Sequence, residues 1–155
     1  MIYFIITVLL TAADQITKHL AVSYLTDIGS IPLIQNVFHL TYVENRGIAF
    51  GLFSGGRIVF IAVSVILLAA LTLIMYKTPK IQRTVWQKAG TALIFAGAIG
   101  NIADRIRLGY VIDFFDFRLI NFPVFNVADI AVCVGAAMIL IHFLSSGSDE
   151  NIKEV

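Results

Sequence analysis

The stretch RIVFIAVSVILLAALTLIMY, residues 57–76, decides the fold of this chain. After Arg57 it carries no charge, and Ser64 and Thr72 are its only polar side chains before Tyr76. A helix rising about 1.5 Å per residue needs about 20 such residues to cross a hydrocarbon core about 30 Å thick. Three further stretches have membrane length: Ile2–Tyr24, Trp86–Arg107 and Asn126–Leu144. The sequence predicts an all-α integral membrane protein with four transmembrane helices, a single domain over residues 1–155. Composition agrees, with 59% of the residues apolar and only 14% charged, against roughly 25% charged in soluble proteins.

The net charge of +1 creates no field that would recruit nucleic acid. The lone cysteine, Cys133, has no intrachain partner and reads as a small packing residue of an apolar helix. No Lys or Arg precedes Lys18, so the first helix lacks the charged leading region of a signal peptide and is expected to be retained. Lys77, Lys80, Arg83 and Lys88 lie between the second and third helices with no acid among them. By the positive-inside rule that connection is cytoplasmic, and both termini with it. The connections 27–56 and 108–125 then face outward.

Within the first of these, Phe38, Leu40 and Tyr42 alternate with Val37, His39 and Thr41, the pattern of a half-buried strand. His39 reads as a surface residue. The segment Gly109–Phe117 is also rich in β-formers. A small β cradle is expected on the outer face between helices 1 and 2, with Phe114, Phe115, Phe117, Phe122 and Phe125 at the interface. The tail Ser145–Val155 is expected to fray. No internal repeat is evident, which argues against an inverted-repeat transporter.

Ionisable groups at membrane depth are costly, and this chain keeps several. From the helix rise, Asp14 and Lys18 lie roughly 18 and 24 Å above the inner end of the first helix. Asn101 lies roughly 22 Å up the third helix, with Asp104 and Arg105 a little under 30 Å up. Asp129 sits only about 6 Å below the outer start of the fourth. All share the outer layer, onto which Asn45 and Asp113 can drop from the outer connections. Each also has a plainer reading. Asp14 and Lys18 have the i, i+4 spacing of a structural ion pair. Asn126 and Asp129 have capping-box spacing. Asn101, Asp104 and Arg105 could cap a helix end, Arg107 could snorkel to headgroups, and Asp113 and Asp116 could be solvated loop acids.

No Ser-His-Asp set, zinc motif, Gly-rich phosphate loop or Cys pair is recognisable, and His19, His39 and His142 are scattered. Carboxylates remain. Two held close share a proton, so that one can activate water while the other polarises a carbonyl. Such chemistry needs no cofactor. Two carboxylates with asparagine could alternatively hold Mg²⁺ or Ca²⁺, though no dedicated cage is visible.

Five motifs now read together: Asp14-Gln-Ile-Thr-Lys18, Asn45-Arg-Gly-Ile-Ala-Phe50, Gly100-Asn-Ile-Ala-Asp-Arg105, Val111-Ile-Asp-Phe114 and Phe125-Asn-Val-Ala-Asp129. In these the chain resembles bacterial lipoprotein signal peptidases, the signal peptidase II family, over nearly its whole length. The resemblance implies an aspartyl endopeptidase of the bacterial inner membrane. Such an enzyme cleaves diacylglyceryl-modified prolipoproteins N-terminal to the lipidated cysteine and is inhibited by globomycin-type cyclic peptides. It implies Asp113 and Asp129 as the catalytic pair. Asn45, Arg105 and Asn126 would surround substrate, Asp14, Lys18 and Asn101 would support the site, and Gly47 and Asp104 would belong to the same binding and supporting set. No metal is implied.

Two positions depart from the commonest family pattern. Ile48 stands where alanine is usual, suggesting a narrower pocket, and Ile130 where serine is common. Asp129, in the first turn of the fourth helix, is expected to ionise first, leaving the shared proton on Asp113. Gly47, Gly51, Gly55 and Gly56 offer hinge points for loop closure. Ala92, Ala96 and Gly100 have small-xxx-small spacing and are expected to pack the third helix inside a monomer, whose partners would be substrate, globomycin-type inhibitors and membrane phospholipid. The competing readings are a proton-coupled transporter relaying through Asp14, Lys18 and Arg105, and a structural membrane subunit.

Overall fold

The structure, a computed structural model, describes residues 1–47, 56–79 and 83–153, with side chains as far as Ser145. Ile48, Gly51, Gly55 and Lys80, singled out above, lie outside the described residues. The helices are α1 (Ile2–Leu25), α2 (Gly56–Lys77), α3 (Val85–Leu108) and α4 (Val127–Lys153). The strands are β1 (Ser30–Ile34), β2 (Phe38–Asn45) and β3 (Val111–Phe117).

Helix α3 is central, packing most extensively on α4 and α1, while α2 leans chiefly on α3. Side-chain size explains the close approach. On one face of α3, Ala92, Ala96 and Gly100 are buried and leave their carbonyls open to α1. Thr7 Oγ1 donates to Ala92 O at 3.1 Å, Thr11 Oγ1 to Ala96 O at 3.2 Å and Gln15 Nε2 to Gly100 O at 3.3 Å. Three rungs at one fixed offset mean that α1 and α3 run parallel in register. On the other face, a Cβ at Gly97 would strike Ala128 O, and one at Gly90 would lie 2.7 Å from Gly135 O. Small residues with interhelical hydrogen bonds are what helix pairs use where the surroundings are apolar.

Three helices are long and apolar enough to cross a membrane: Ile2–Leu25, Gly56–Lys77 and Val127–Ser145. Among the described residues α3 is not of that kind. It carries Lys88, Asp104, Arg105 and Arg107, and it buries one side against α1 and α4. Helix α2 is apolar all round yet buries no residue against the rest of the chain. Ile58 is 74% exposed and Ile66 65%, a surface that lipid would have to cover.

The sheet is antiparallel in the order β1-β2-β3. It was expected between helices 1 and 2, but its third strand comes from the α3–α4 connection, because the β-rich segment after Gly109 pairs with β2 along its length. Ile112 and Phe114 of β3 join Ala21 and Leu25 of α1 in a buried cluster that seats the sheet on the end of α1. His39 departs from expectation: it is buried, being on the central strand opposite both Pro32 and Asp116, with Nδ1 3.3 Å from Ser30 Oγ. The backbone of the tail is helical. Helix α4 continues to Lys153, since no proline stops it.

Candidate active site

Strand geometry separates Asp113 from Asp116. Three residues apart on β3, they face opposite sides of the sheet. Asp116 turns to Thr41 and Arg118, with bonds of 2.7 and 2.8 Å. Asp113 turns to the helices and is 1% exposed. Its Oδ2 accepts from Asn45 Nδ2 at 2.8 Å and its Oδ1 from Asn126 Nδ2 at 2.6 Å.

Asp129 is placed by helix capping. Its Oδ2 accepts from the Asn126 backbone N–H at 3.1 Å, while its own N–H donates to Asn126 Oδ1 at 2.9 Å. This reciprocal pair opens α4 and satisfies orphan N–H groups of its first turn. The remaining oxygen, Asp129 Oδ1, accepts from Asn101 Nδ2 at 2.8 Å. Asn126 thus touches both acids, and its side chain is fully buried between them. Burial pushes the Asp113 carboxyl up to about 6; the bond from Asn45 opposes this and the nearby Asp129 charge adds to it.

A buried ionic cluster stands behind the pair. Lys18 Nζ lies 2.9 Å from Asp14 Oδ2, 2.9 Å from Asp104 Oδ2 and 2.8 Å from Asn101 Oδ1. Every remaining carboxylate oxygen there is also occupied. Asp14 Oδ1 accepts from Ala128 N, Asp104 Oδ1 from Gln15 Nε2, and Asp104 Oδ2 also from Ile112 N. Such satisfaction is what makes three buried charges tolerable. The cluster ties α1, α3, β3 and the start of α4 together beside the acids.

Arg105 lies in front of them. Its guanidinium sits 5.0 Å over the Phe60 ring and donates to Asn101 O at 3.3 Å. Two cavities meet at this side chain. One of about 650 Å³ is lined by Asn45, Gly47, Phe60 and Pro123 as well as Arg105. The other, about 290 Å³, lies against α2, α3 and α4 and is lined by Ser64, Asn101, Asp129 and Cys133. Gly47 has φ +72, and a Cβ there would strike the Phe60 ring, so a larger residue would close the first cavity. Cys133, read above as a packing residue, is instead exposed on the wall of the second. Among the described residues, no group of three His, Cys, Asp or Glu side chains could hold a metal ion.

A family model described as signal peptidase (SPase) II matches residues 6–145. The chain belongs to the signal peptidase II family. Relatives called lipoprotein signal peptidase include one from Clostridioides difficile, 45% identical over 93% of this chain and 95% of the relative. Another, from Halothermothrix orenii, is 42% identical over 90% of this chain and 92% of that one. A solved bacterial membrane enzyme, determined by the in meso method at 2.3 Å resolution, superposes with a TM-score of 0.81 at 33% identity. That alignment covers 95% of this chain and 90% of the other.

All ten positions singled out from the sequence fall in this family's matched region and in one neighbourhood of the structure. Asp14, Lys18, Asn101, Asp104, Asn126, Asp113, Asp129 and Asn45 form one hydrogen-bonded chain. Gly47 donates its N–H to Asn45 Oδ1 at 2.9 Å, and Arg105 adjoins through Asn101. Sequence reasoning missed Gln15, which links Asp14, Gly100 and Asp104. It also missed Thr7 and Thr11. Their spacing of four on α1, continued by Gln15, was the available signal. Phe60, beneath Arg105, had none, being one aromatic in an apolar helix.

Proposed function

We propose that this member of the signal peptidase II family is an aspartyl endopeptidase. It cleaves diacylglyceryl-modified prolipoproteins N-terminal to the lipidated cysteine, with Asp113 and Asp129 as its catalytic pair. The observation that carries the reading is Asn126, fully buried and bonded to both carboxyl groups. That arrangement links the two acids through one residue, and among the described residues neither is salt-bridged to a cation, which leaves both free for proton transfer.

Asp129 is the base. Its oxygens accept N–H groups from Asn101 and from the Asn126 backbone, which fix the carboxyl group in place at the start of α4. Asp113, pushed up to about 6 by burial, is the proton holder. Asp129 takes a proton from water as the water oxygen attacks the scissile carbonyl carbon, and Asp113 gives its proton to the carbonyl oxygen. Collapse of the tetrahedral species returns that proton to Asp113 and breaks the C–N bond. The amine of the lipidated cysteine leaves with the proton held by Asp129. No cofactor enters.

Arg105, held over Phe60 between the two cavities, orients substrate main chain at the pair. The acyl chains lie laterally in the bilayer, where each buried CH₂ contributes about 0.8 kcal/mol. In this reading α3 is a fourth crossing, both termini are cytoplasmic and the site faces the outer leaflet of the bacterial cytoplasmic membrane. The enzyme works as a monomer, and globomycin-type peptides occupy the same site. Mass spectrometry of a diacylglyceryl-modified prolipoprotein incubated with purified protein and chelator tests the proposal. Wild type releases the signal peptide, and Asp113→Asn and Asp129→Asn do not; full activity in both variants would refute the assignment.

A further inference from the structure

At the end of the molecule away from the acids, two more cavities adjoin between α1, α2 and α3. The larger is about 780 Å³ and is lined by Thr72, Tyr76, Lys77 and Arg83 among others. The smaller, about 300 Å³, is lined by Tyr3, Phe4 and Lys88. Met75, Thr91 and Phe95 line both, so the two form one groove. Nothing in the peptidase reading uses it.

The groove is graded along the helix axes. At its mouth stand Lys77, at the end of α2, Arg83, and Lys88 in the first turn of α3. No Asp or Glu occurs between residues 77 and 88, and among the described residues neither lysine has an ion-pair partner. Arg83 is fixed in place, its Nε donating to Thr78 O at 2.9 Å. Tyr76 and Trp86, 81% and 53% exposed, flank the mouth as aromatic rings do at headgroup depth. Deeper, Phe95 lies about 15 Å along α3 from its start, and the walls there are Met75, Phe95 and Phe4. Thr91 Oγ1, on the wall common to both cavities, is buried with no hydrogen-bond partner. The α2 wall is uncovered by the rest of the chain.

We propose that this groove binds one anionic phospholipid from the leaflet beside the basic connection. Lys77 and Lys88 take its phosphate, with the Arg83 charge behind them, and one acyl chain lies against Met75, Phe95 and Phe4. Charge selects the lipid class. A choline headgroup would bring a fourth cation to a mouth that already holds three basic side chains, whereas glycerol phosphate leaves the anion unopposed. The lipid also lines the underside of α2, the helix that the rest of the fold holds least.

The full chain in nanodiscs, with no substrate present, carries a trace of photoactivatable phosphatidylglycerol or phosphatidylcholine, and labelled peptides are mapped by mass spectrometry. Phosphatidylglycerol should label the α2 segment around Met75 and the α3 segment around Phe95, and phosphatidylcholine at least several-fold less. Lys77→Gln with Lys88→Gln should cut phosphatidylglycerol labelling roughly tenfold or more, each basic residue near anionic lipid being worth about fivefold. Prolipoprotein cleavage should be unchanged in that variant, which verifies its fold. Equal labelling by both lipids, or labelling indifferent to the two lysines, overturns the proposal. So does loss of labelling when a signal-peptide helix is added, which would give the groove to peptide. Because labelling is read without substrate, its failure is separate from any failure of the peptidase reading.

Discussion

Lys18 Nζ lies 2.8 Å from Asn101 Oδ1, and this contact decides which way the Asn101 amide faces. An ammonium can only donate. The Asn101 carbonyl is therefore turned to Lys18 and its NH₂ to Asp129 Oδ1, at 2.8 Å. The same logic fixes the other two asparagines. The Gly47 N–H claims Asn45 Oδ1, sending Asn45 Nδ2 to Asp113. The Asp129 N–H claims Asn126 Oδ1, sending Asn126 Nδ2 to Asp113. Three obligate donors thus orient three amides, and each amide presents a donor to a carboxyl group.

Removing the ammonium should therefore cost more than an ion pair. Lys18→Met is close in length, but it leaves Asp14 and Asp104 buried with no counter-charge. Loss of one partner from a buried pair costs about 3–5 kcal/mol. Thermal unfolding in detergent micelles should show a large drop in Tm. A loss below about 1 kcal/mol would mean that the ammonium does not hold this cluster together.

Asp129 has a capping role and a proposed chemical one, and the two can be separated. Asparagine at 129 still accepts the Asn126 N–H, but its NH₂ then meets the Asn101 NH₂ that Lys18 orients, so Asp129→Asn should keep the cap and lose about 1–3 kcal/mol for the unmet donor. Its activity should fall on the order of 10³-fold or more, as when a catalytic group is removed from an intact site. Asp129→Ala should lose the cap as well, by about 1 kcal/mol. Calorimetry alongside a cleavage assay reads both, and equal stability losses in the two variants would remove the capping argument.

Three of the four apolar runs, and the gathering of the polar groups in one layer, were legible because membrane length and the helix rise are nearly sequence-independent. The pairing of β3 with β2 was less so. A strand pattern identifies a strand without naming its neighbour, and Val43↔Asp113 joins residues far apart in the chain. Asp113 could be placed beside the polar groups of the helices, where its bond from Asn126 puts it, but its choice over Asp116 came from family resemblance. Strand alternation supplies the physical reason only once the sheet face is known. His39 was misread for a related cause: period two marks which residues share a face, while burial depends on what covers that face. Helix α3 sits at the limit of composition, because partners on α1 and α4 compensate its charges and glycines, and partners are invisible in one segment.

The Asp113 carboxyl, raised from 3.8 to about 6, makes activity depend on pH in a definite sense. The folded chain binds more protons than the unfolded one between these values. The corresponding stability is fully present below 3.8 and lost as pH rises through about 6. If Asp113 supplies the proton in catalysis, kcat/KM of the free enzyme has an alkaline limb near 6 that belongs to the coupled pair. The bond from Asn45 holds the value down, so Asn45→Ala should move that limb to higher pH. A limb that stays fixed or moves downward would separate Asn45 from Asp113.

Two glycines of α3 and its cap test whether helix packing sets the geometry of the acids. A Cβ at Gly97 would strike the Ala128 carbonyl oxygen and lie 2.8 Å from Val132 Cγ2. The first is backbone of α4, one residue from Asp129, so only a shift of the whole helix relieves it. Such a shift lengthens the Asn101–Asp129 bond of 2.8 Å. Gly97→Ala should therefore lose about 1–3 kcal/mol of stability and activity beyond what unfolding accounts for. Gly109 gives the comparison. It ends α3 at φ +89 with open space around it, so Gly109→Ala strains only the backbone, by about 1 kcal/mol. Assayed well below both melting temperatures, Gly109→Ala should cleave at the wild-type rate and Gly97→Ala should not. Equal rates would mean that β3 and Asn126 hold the pair in place without the α3–α4 contact.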